Sequence, residues 1–346
     1  MNRHGGDIYE NGIRLDFSAS VNPFGMPEAA VNEGMNAVRY AGFYPDPYCT
    51  ELRNALGKRD RVDPDTILCG AGTTELIYLL MSRFGIRKVT IIDPSFSEFE
   101  YAARISGKEI SHILLEEEDG FQPDDSVVDL IDPDTGMVCF SSPSNPAGTV
   151  YSEAFIDRLL SFCNERKIMI LADETFRDCC ENRIKYDLTE KLSDHPGLII
   201  LRAFTKSHAM AGLRFGYMIG ADKAGIWALR DMIQPWNVSL PAQWAAQAAC
   251  DDRQYLKRFR EFLREEKPYL ARNLKALGFT VFPSEANFFL FRGEPGLAEK
   301  LIEKKILIRD CSDYHGLSEG YYRVAVRKHG DNEKLIAALK EILWKH

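Results

Sequence analysis

Five short runs of this chain are almost wholly apolar: Val89-Thr-Ile-Ile-Asp93, Met137-Val-Cys-Phe-Ser141, Ile168-Met-Ile-Leu-Ala-Asp173, Leu198-Ile-Ile-Leu201 and Phe215-Gly-Tyr-Met-Ile219. A strand with one wet face alternates apolar and polar residues, so an unbroken apolar run belongs to a strand covered on both faces. Helical patterns near residues 95 to 106 and 152 to 166 lie between the runs. The rhythm predicts an α/β fold built on an open, mostly parallel sheet, whose ligands gather beyond the carboxyl ends of the strands. Pro94-Ser-Phe96, Asn145, Asp173 and Lys206 each follow such a strand closely.

The texture changes after about residue 236. A long helical stretch, about 241 to 276, leads to Thr280-Val-Phe-Pro283, Asn287-Phe-Phe-Leu-Phe291, Ile306-Leu-Ile-Arg309 and Tyr321-Tyr-Arg-Val-Ala-Val-Arg327. An amphipathic helix carrying Leu335, Ile336, Leu339, Ile342 and Leu343 closes the chain. The expected organisation is an N-terminal arm (1–30), a large domain (31–236) and a smaller α+β domain (237–346).

Composition narrows the partners. The formal net charge is −8, and Lys and Arg nowhere form a cluster of five, which argues against nucleic acid and anionic membrane. No apolar stretch approaches the roughly 18 residues of a membrane span, and the first thirty residues, with Asp7, Glu10 and Asp16, do not fit a signal peptide. The eight cysteines (49, 69, 139, 163, 179, 180, 250, 311) show no CxxC pair and no metal-ligand spacing. Reduced thiols in a cytoplasmic protein, with no metal, are the expectation.

Lys206 carries the chemistry. In Arg202-Ala-Phe-Thr-Lys206-Ser-His-Ala-Met-Ala-Gly-Leu-Arg214 a strand ends, a hydroxyl and a lysine follow, and an arginine comes eight residues later. A lysine amine forms a Schiff base with a carbonyl once burial or neighbouring cations lower its pKa, while a hydroxyl and an arginine hold a phosphate. Gly70-Ala-Gly-Thr-Thr-Glu75 opens a helical pattern, where backbone N–H groups favour a phosphate, although a plain glycine-rich turn reads the same. It lacks the third glycine of a dinucleotide fingerprint. Asp173 closes an apolar run, and a carboxylate buried there needs a cation or strong donor; a protonated pyridine nitrogen and a helix cap both satisfy that. Asn145, in Ser142-Pro-Ser-Asn-Pro-Ala-Gly148, is either a turn residue or an amide donor to a phenolate oxygen.

Taken in order, these segments resemble the fold-type I pyridoxal-phosphate enzymes, in the class I/II aminotransferase branch, over essentially the whole chain. The resemblance implies a mostly parallel seven-stranded sheet in the large domain and pyridoxal 5'-phosphate as cofactor. It makes Lys206 the Schiff-base lysine and proton shuttle, and pairs Asp173 with the pyridinium. Asn145 would donate to the 3-oxygen and Phe96 would stack on the ring. Ala71, Gly72, Thr73, Thr205 and Arg214 would bind the cofactor phosphate. Tyr44 matches the tyrosine that reaches that phosphate from the other subunit, so a homodimer with shared sites is implied. Arg323 matches the arginine for the substrate α-carboxylate, and Asn22 lies in the segment that lines the same pocket.

Within the branch, His4-Gly-Gly-Asp-Ile-Tyr9, Leu15 to Gly25, Ile308 to Leu317 and Tyr321 to Arg327 look more like the threonine-phosphate decarboxylases of cobalamin synthesis than the histidinol-phosphate aminotransferases. Phe176 stands where many aminotransferases carry tyrosine, and Ala203 where relatives often have a hydroxyl. The resemblance therefore implies decarboxylation of O-phospho-L-threonine, with transamination of histidinol phosphate as the alternative and a non-catalytic cofactor-binding regulator as a more distant one. His4, Arg309 and Arg327 are the candidates for gripping a substrate phosphate.

Overall fold

The computed structural model describes residues 4–83, 85–180 and 187–344. Leu15–Asp16 forms a short strand, β1. The main sheet is built from β2 (Ile67–Gly70), β3 (Lys88–Asp93), β4 (Glu109–Leu114), β5 (Met137–Ser141), β6 (Met169–Asp173), β7 (Leu198–Ala203) and β8 (Gly216–Gly220). Its order is β2-β8-β7-β6-β5-β3-β4. Only β8 runs against its neighbours, β2 and β7; the remaining pairings are parallel.

Alternate residues of the central strands divide between two cores, as strands covered on both faces require. Val138, Phe140, Ile170, Ala172, Leu198 and Ile200 pack into one cluster with the helix Glu153–Arg166. Met137, Cys139, Leu171, Ile199 and Leu201 pack into the other with the helices Thr73–Met81 and Glu98–Ile105. Patterning does not announce β4: its sequence Glu-Ile-Ser-His-Ile-Leu lies at the sheet edge, with most of its side chains only partly covered.

The second body holds β9 (Thr280–Val281), β10 (Phe288–Arg292), β11 (Ile306–Leu307), β12 (Arg309–Asp310) and β13 (Tyr321–Ala325). A four-stranded antiparallel sheet runs β12-β13-β10-β9, and β11 pairs in parallel with β1. The helices Arg253–Ala276 and His329–Leu343 close over this sheet through Phe259, Leu263, Leu270, Leu335 and Leu339.

Two expectations are corrected here. The stretch expected as one helix over about 241 to 276 is two, Leu240–Cys250 and Arg253–Ala276. They break because the Asp252 side chain accepts from Tyr255 N and caps a new helix start. The first of them buries Ala242, Ala245, Ala246 and Ala249 in the core of the main sheet and packs on the helices Glu28–Val38 and Thr50–Asp60. Ile306 to Arg309, expected as one strand, turns at Ile308 so that β11 and β12 serve different sheets.

The N-terminal segment sews the two bodies together. Phe17 N donates to Leu307 O and Ala325 N to Phe17 O, both in the second body. A few residues on, Asn22 N donates to Lys206 O, beyond the end of β7. No helix among the described residues is long and apolar enough to cross a membrane.

Candidate active site

The carboxyl ends of β3, β5, β6 and β7 open on one cavity of about 370 Å³. Predicted site residues His4, Thr73, Phe96, Asn145, Asp173, Thr205, Lys206, Arg214, Arg309 and Arg323 all line it.

Lys206 stays partly accessible through this cavity. Its amine is pushed down from an ordinary 10.5 to about 8, by burial first and then by the guanidinium groups of Arg323 and Arg214. That is the adjustment a lysine needs to be a free amine near neutral pH. Asp173 ends β6 and is buried, its Oδ1 accepting from Thr175 N at 2.7 Å. Burial pushes its carboxyl up, against the hydrogen bonds from Thr175 and the weaker pull of Lys206. Among the described residues no side-chain cation pairs with it where it lines the cavity.

Behind Asp173 the charges are compensated. Arg202, on β7, bonds to Glu174 Oε2 at 2.7 Å and 2.8 Å and to Asp187 Oδ1 at 2.9 Å, and its Nη1 lies 3.0 Å from Asp60 Oδ1. Tyr217 donates to the other oxygen of Asp60 at 2.6 Å. This buried network ties the ends of β6 and β7 together, which fixes Asp173 relative to the turn that presents Lys206.

Asn145 sits in a loop closed by Gly148 N to Ser144 O at 2.8 Å and Ser144 N to Thr149 O at 2.8 Å. Its Oδ1 accepts from Arg323 and, at 3.4 Å, from the hydroxyl of Tyr314. With the oxygen claimed twice, Nδ2 is the end left to donate into the cavity. Arg323 also donates to Ser18 O at 2.9 Å, and its Nε has no partner among the described residues.

A cradle for an anion lies at the other end. The helix Thr73–Met81 starts at Gly72, whose φ of +87° suits glycine, and no side chain caps it. A Cβ on Gly72 would stand 2.5 Å from Arg214 Nη2, so the missing side chain is what lets the guanidinium reach the helix start. Gly216 likewise lets β8 pass under Thr73 N, which a Cβ would approach to 2.7 Å. Free N–H groups, a guanidinium and the Thr205 hydroxyl make a donor set matched to a phosphate.

Four predicted residues stand outside the cavity lining, besides Ala71, which follows β2 and donates to Glu75 Oε2 at 2.7 Å. Gly72 acts through the approach just described. Asn22 is buried behind the Lys206 turn, donating to Ser207 O at 2.9 Å and accepting from Phe24 N at 3.1 Å. Arg327 is turned away: it donates to Asp16 O at 3.0 Å and pairs with Asp331. Tyr44 is 77% exposed and stacks on Trp236 at 4.4 Å. His4 Nε2 lies 2.9 Å from Glu98 Oε1 and Arg309 pairs with Asp313 at 2.8 Å, so both side chains are held in place where they line the cavity.

Sequence reasoning missed Tyr314 and Glu98. Neither lies in a pattern with local meaning: Tyr314 reaches Asn145 from the second body, and Glu98 is a helix residue that binds His4 and Tyr78. Phe176 lines the cavity with its ring edge-on to Phe288 at 5.0 Å.

The family model for aminotransferase class I and II matches residues 13–342. A threonine-phosphate decarboxylase of Salmonella typhimurium is 34% identical, over 98% of this chain and 96% of its own. The crystal structure of the histidinol-phosphate aminotransferase from Clostridium acetobutylicum superposes with a TM-score of 0.89 at 28% identity, over 95% of this chain and 99% of that one. The L-threonine-O-3-phosphate decarboxylase from Porphyromonas gingivalis gives 0.83 at 25% identity, over 96% and 100%.

Proposed function

We propose, from the premise that the chain belongs to the aminotransferase class I and II family, that it decarboxylates O-phospho-L-threonine to (R)-1-amino-2-propanol O-phosphate. Its fold is the fold-type I architecture and its cofactor is pyridoxal 5'-phosphate. The residues present fit that group: a lowered lysine amine, a buried carboxylate with no cation, an amide with its donor end free, and an uncapped helix start beside an arginine.

When bound, the cofactor supplies a carbonyl for the substrate amine and a conjugated ring that accepts the electron pair left when a bond at the α-carbon breaks. The chain directs which bond that is. Asp173 would hold a proton at the ring nitrogen. Asn145 would donate to the ring oxygen, and Phe96 would stack on the ring. Thr73, Thr205, Arg214 and the N–H groups of the helical turn that follows Gly72 would hold the cofactor phosphate. Arg323 would bind the substrate carboxylate, while Arg309 and His4 would take the substrate phosphate. Held at both ends, the substrate would present its carboxylate as the group lost as CO2, and Lys206 would supply the proton that takes its place on the α-carbon.

The observation that carries this reading is that two arginines, Arg323 and Arg309, and the imidazole of His4 share one cavity with Lys206. A substrate with a carboxylate and a phosphate has two anions to place, and this cavity offers cations for both. The likeness to the Clostridium acetobutylicum structure favours a second reading, transamination of histidinol phosphate with 2-oxoglutarate. Purified protein given O-phospho-L-threonine is expected to release CO2, and given histidinol phosphate with 2-oxoglutarate to form no glutamate. The opposite pair of results rejects the first reading.

The same reading makes the protein a cytoplasmic homodimer with an arm, a large and a small body; the second boundary, expected at 236/237, moves to about Asp252, because the helix Leu240–Cys250 is buried in the core of the main sheet. Tyr40, Phe43 and Tyr44 are exposed, with Tyr40 against Trp244 and Tyr44 stacked on Trp236, and a second copy would cover them. Equilibrium sedimentation that finds only monomer at micromolar concentration counts against shared sites.

A further inference from the structure

Beside the cavity, and unused by the reaction, three side chains from three separate elements converge: Glu100 of the helix Glu98–Ile105, His112 of β4, and His315 of the loop after β12. One ligand atom from each lies within 4.8 Å of the others. We infer that this cluster is a binding site for a divalent transition metal of the zinc class, which clasps the 311–317 loop of the second body to the main sheet.

The orientation of His112 is the first argument. Its Nδ1 bonds to Asp93 Oδ2 at 2.7 Å, and Asp93 is almost fully buried at the end of β3. A carboxylate on one ring nitrogen fixes the tautomer and turns Nε2 outward as a ligand, the outer-shell arrangement of histidine metal sites. The second argument is the pair of rings. His112 and His315 stack with centroids 4.0 Å apart and planes 29° from parallel, and His315 Nε2 lies 2.9 Å from Glu100 Oε2. Two imidazoles and a carboxylate already face one another there from three separate elements. The third is fit. Tetrahedral zinc with bonds of about 2.0–2.1 Å spaces its ligand atoms by roughly 3.3 Å, and the three ligand atoms already lie within 4.8 Å of one another. His315, in an exposed loop, is the side chain that would close the remaining gap. Two imidazoles and one carboxylate suit zinc or cobalt and disfavour magnesium and calcium. Three protein ligands leave a fourth position for water.

Placement gives the ion a consequence. Tyr314, next to His315, points the other way into the cavity and hydrogen-bonds Asn145. An ion held by His315 therefore steadies the loop that helps orient the Asn145 amide.

The test is metal binding itself. Tag-free holoenzyme, freed of excess cofactor and of metal, is titrated with Zn2+ against a chromophoric chelator and separately with Co2+. One Zn2+ per chain is expected, with visible Co2+ absorption of tetrahedral intensity and no competition from millimolar Mg2+. His315→Ala, an exposed position, is expected to weaken Zn2+ binding at least 100-fold. Asp93→Asn is expected to weaken it about 10- to 100-fold through His112, and His112→Ala reads the same ring directly if that buried variant does not fold. Equal Zn2+ affinity in the wild type and the His315→Ala variant, or Co2+ spectra of an octahedral aquo ion, overturns the inference.

Discussion

Asp173→Asn separates what the site needs from what the fold needs. Without cofactor, the Asp173 carboxylate is buried and meets the hydrogen-bonding groups of Thr175 and the modest pull of Lys206. An amide keeps the acceptor oxygen at the same place. It exchanges a charge-assisted hydrogen bond for a neutral one, a loss of about 1 kcal/mol, and removes a desolvation cost of several kcal/mol that local relaxation only partly repays. The cofactor-free variant should therefore be more stable than the wild type by about 1–2 kcal/mol, which for a chain this long is on the order of 2–4 °C in the unfolding midpoint. The sign with pH follows from the raised carboxyl. Below its unfolded pKa near 3.8 the wild-type group is protonated in both states and costs nothing extra; the cost grows as pH rises through the higher folded value. The advantage of the variant should accordingly be full at pH 7.5 and fade towards pH 4. Scanning calorimetry of both apo proteins at the two pH values measures it, and cofactor titration of the same samples should show weakened binding. An apo midpoint for the variant that falls by more than 2 °C at pH 7.5 refutes the reasoning, because the carboxylate would then be a structural group with a partner in the protein.

Other outcomes follow from the same structure. Arg202→Met leaves Glu174, Asp60 and Asp187 without their shared cation and should cost about 3–5 kcal/mol in urea unfolding, far more than replacing an exposed arginine such as Arg87. Capture of pyridoxal phosphate by apo protein, trapped by borohydride reduction, should rise with pH through a midpoint near 8; Arg323→Met removes a neighbouring positive charge and should move that midpoint upward. Gly72→Ala puts a methyl 2.5 Å from Arg214 Nη2 at a φ of +87°, so it should weaken phosphate-bearing cofactor at least tenfold while leaving binding of pyridoxal, which has no phosphate, little changed.

Local patterning carried most of the large sheet because its central strands are buried on both faces and cannot help being apolar. β4 escaped for the opposite reason: an edge strand has one wet side, so Glu109, Ser111 and His112 break the run. The break at Asp251-Asp252 escaped because two consecutive amphipathic helices share a period, and a capping side chain alone divides them. In the site, Lys206, Asp173, Asn145 and Thr73 were legible because each stands just past an element whose type the sequence already shows.

The sequence by itself determined the strand ends, and with them the amine, the carboxylate and the helix start that a phosphate-bearing aldehyde requires. Only the tertiary structure decided which distant groups meet there. Arg327, a short step along the chain from Arg323, looks as suitable for an anion as Arg323 does, yet Arg323 faces Asn145 while Arg327 is held by Asp331 and the Asp16 carbonyl. Tyr314 reaching Asn145, and His315 reaching Glu100 and His112, join residues far apart in the chain. Such contacts depend on how two bodies dock, and docking is set by burial summed over many residues, which no local spacing records.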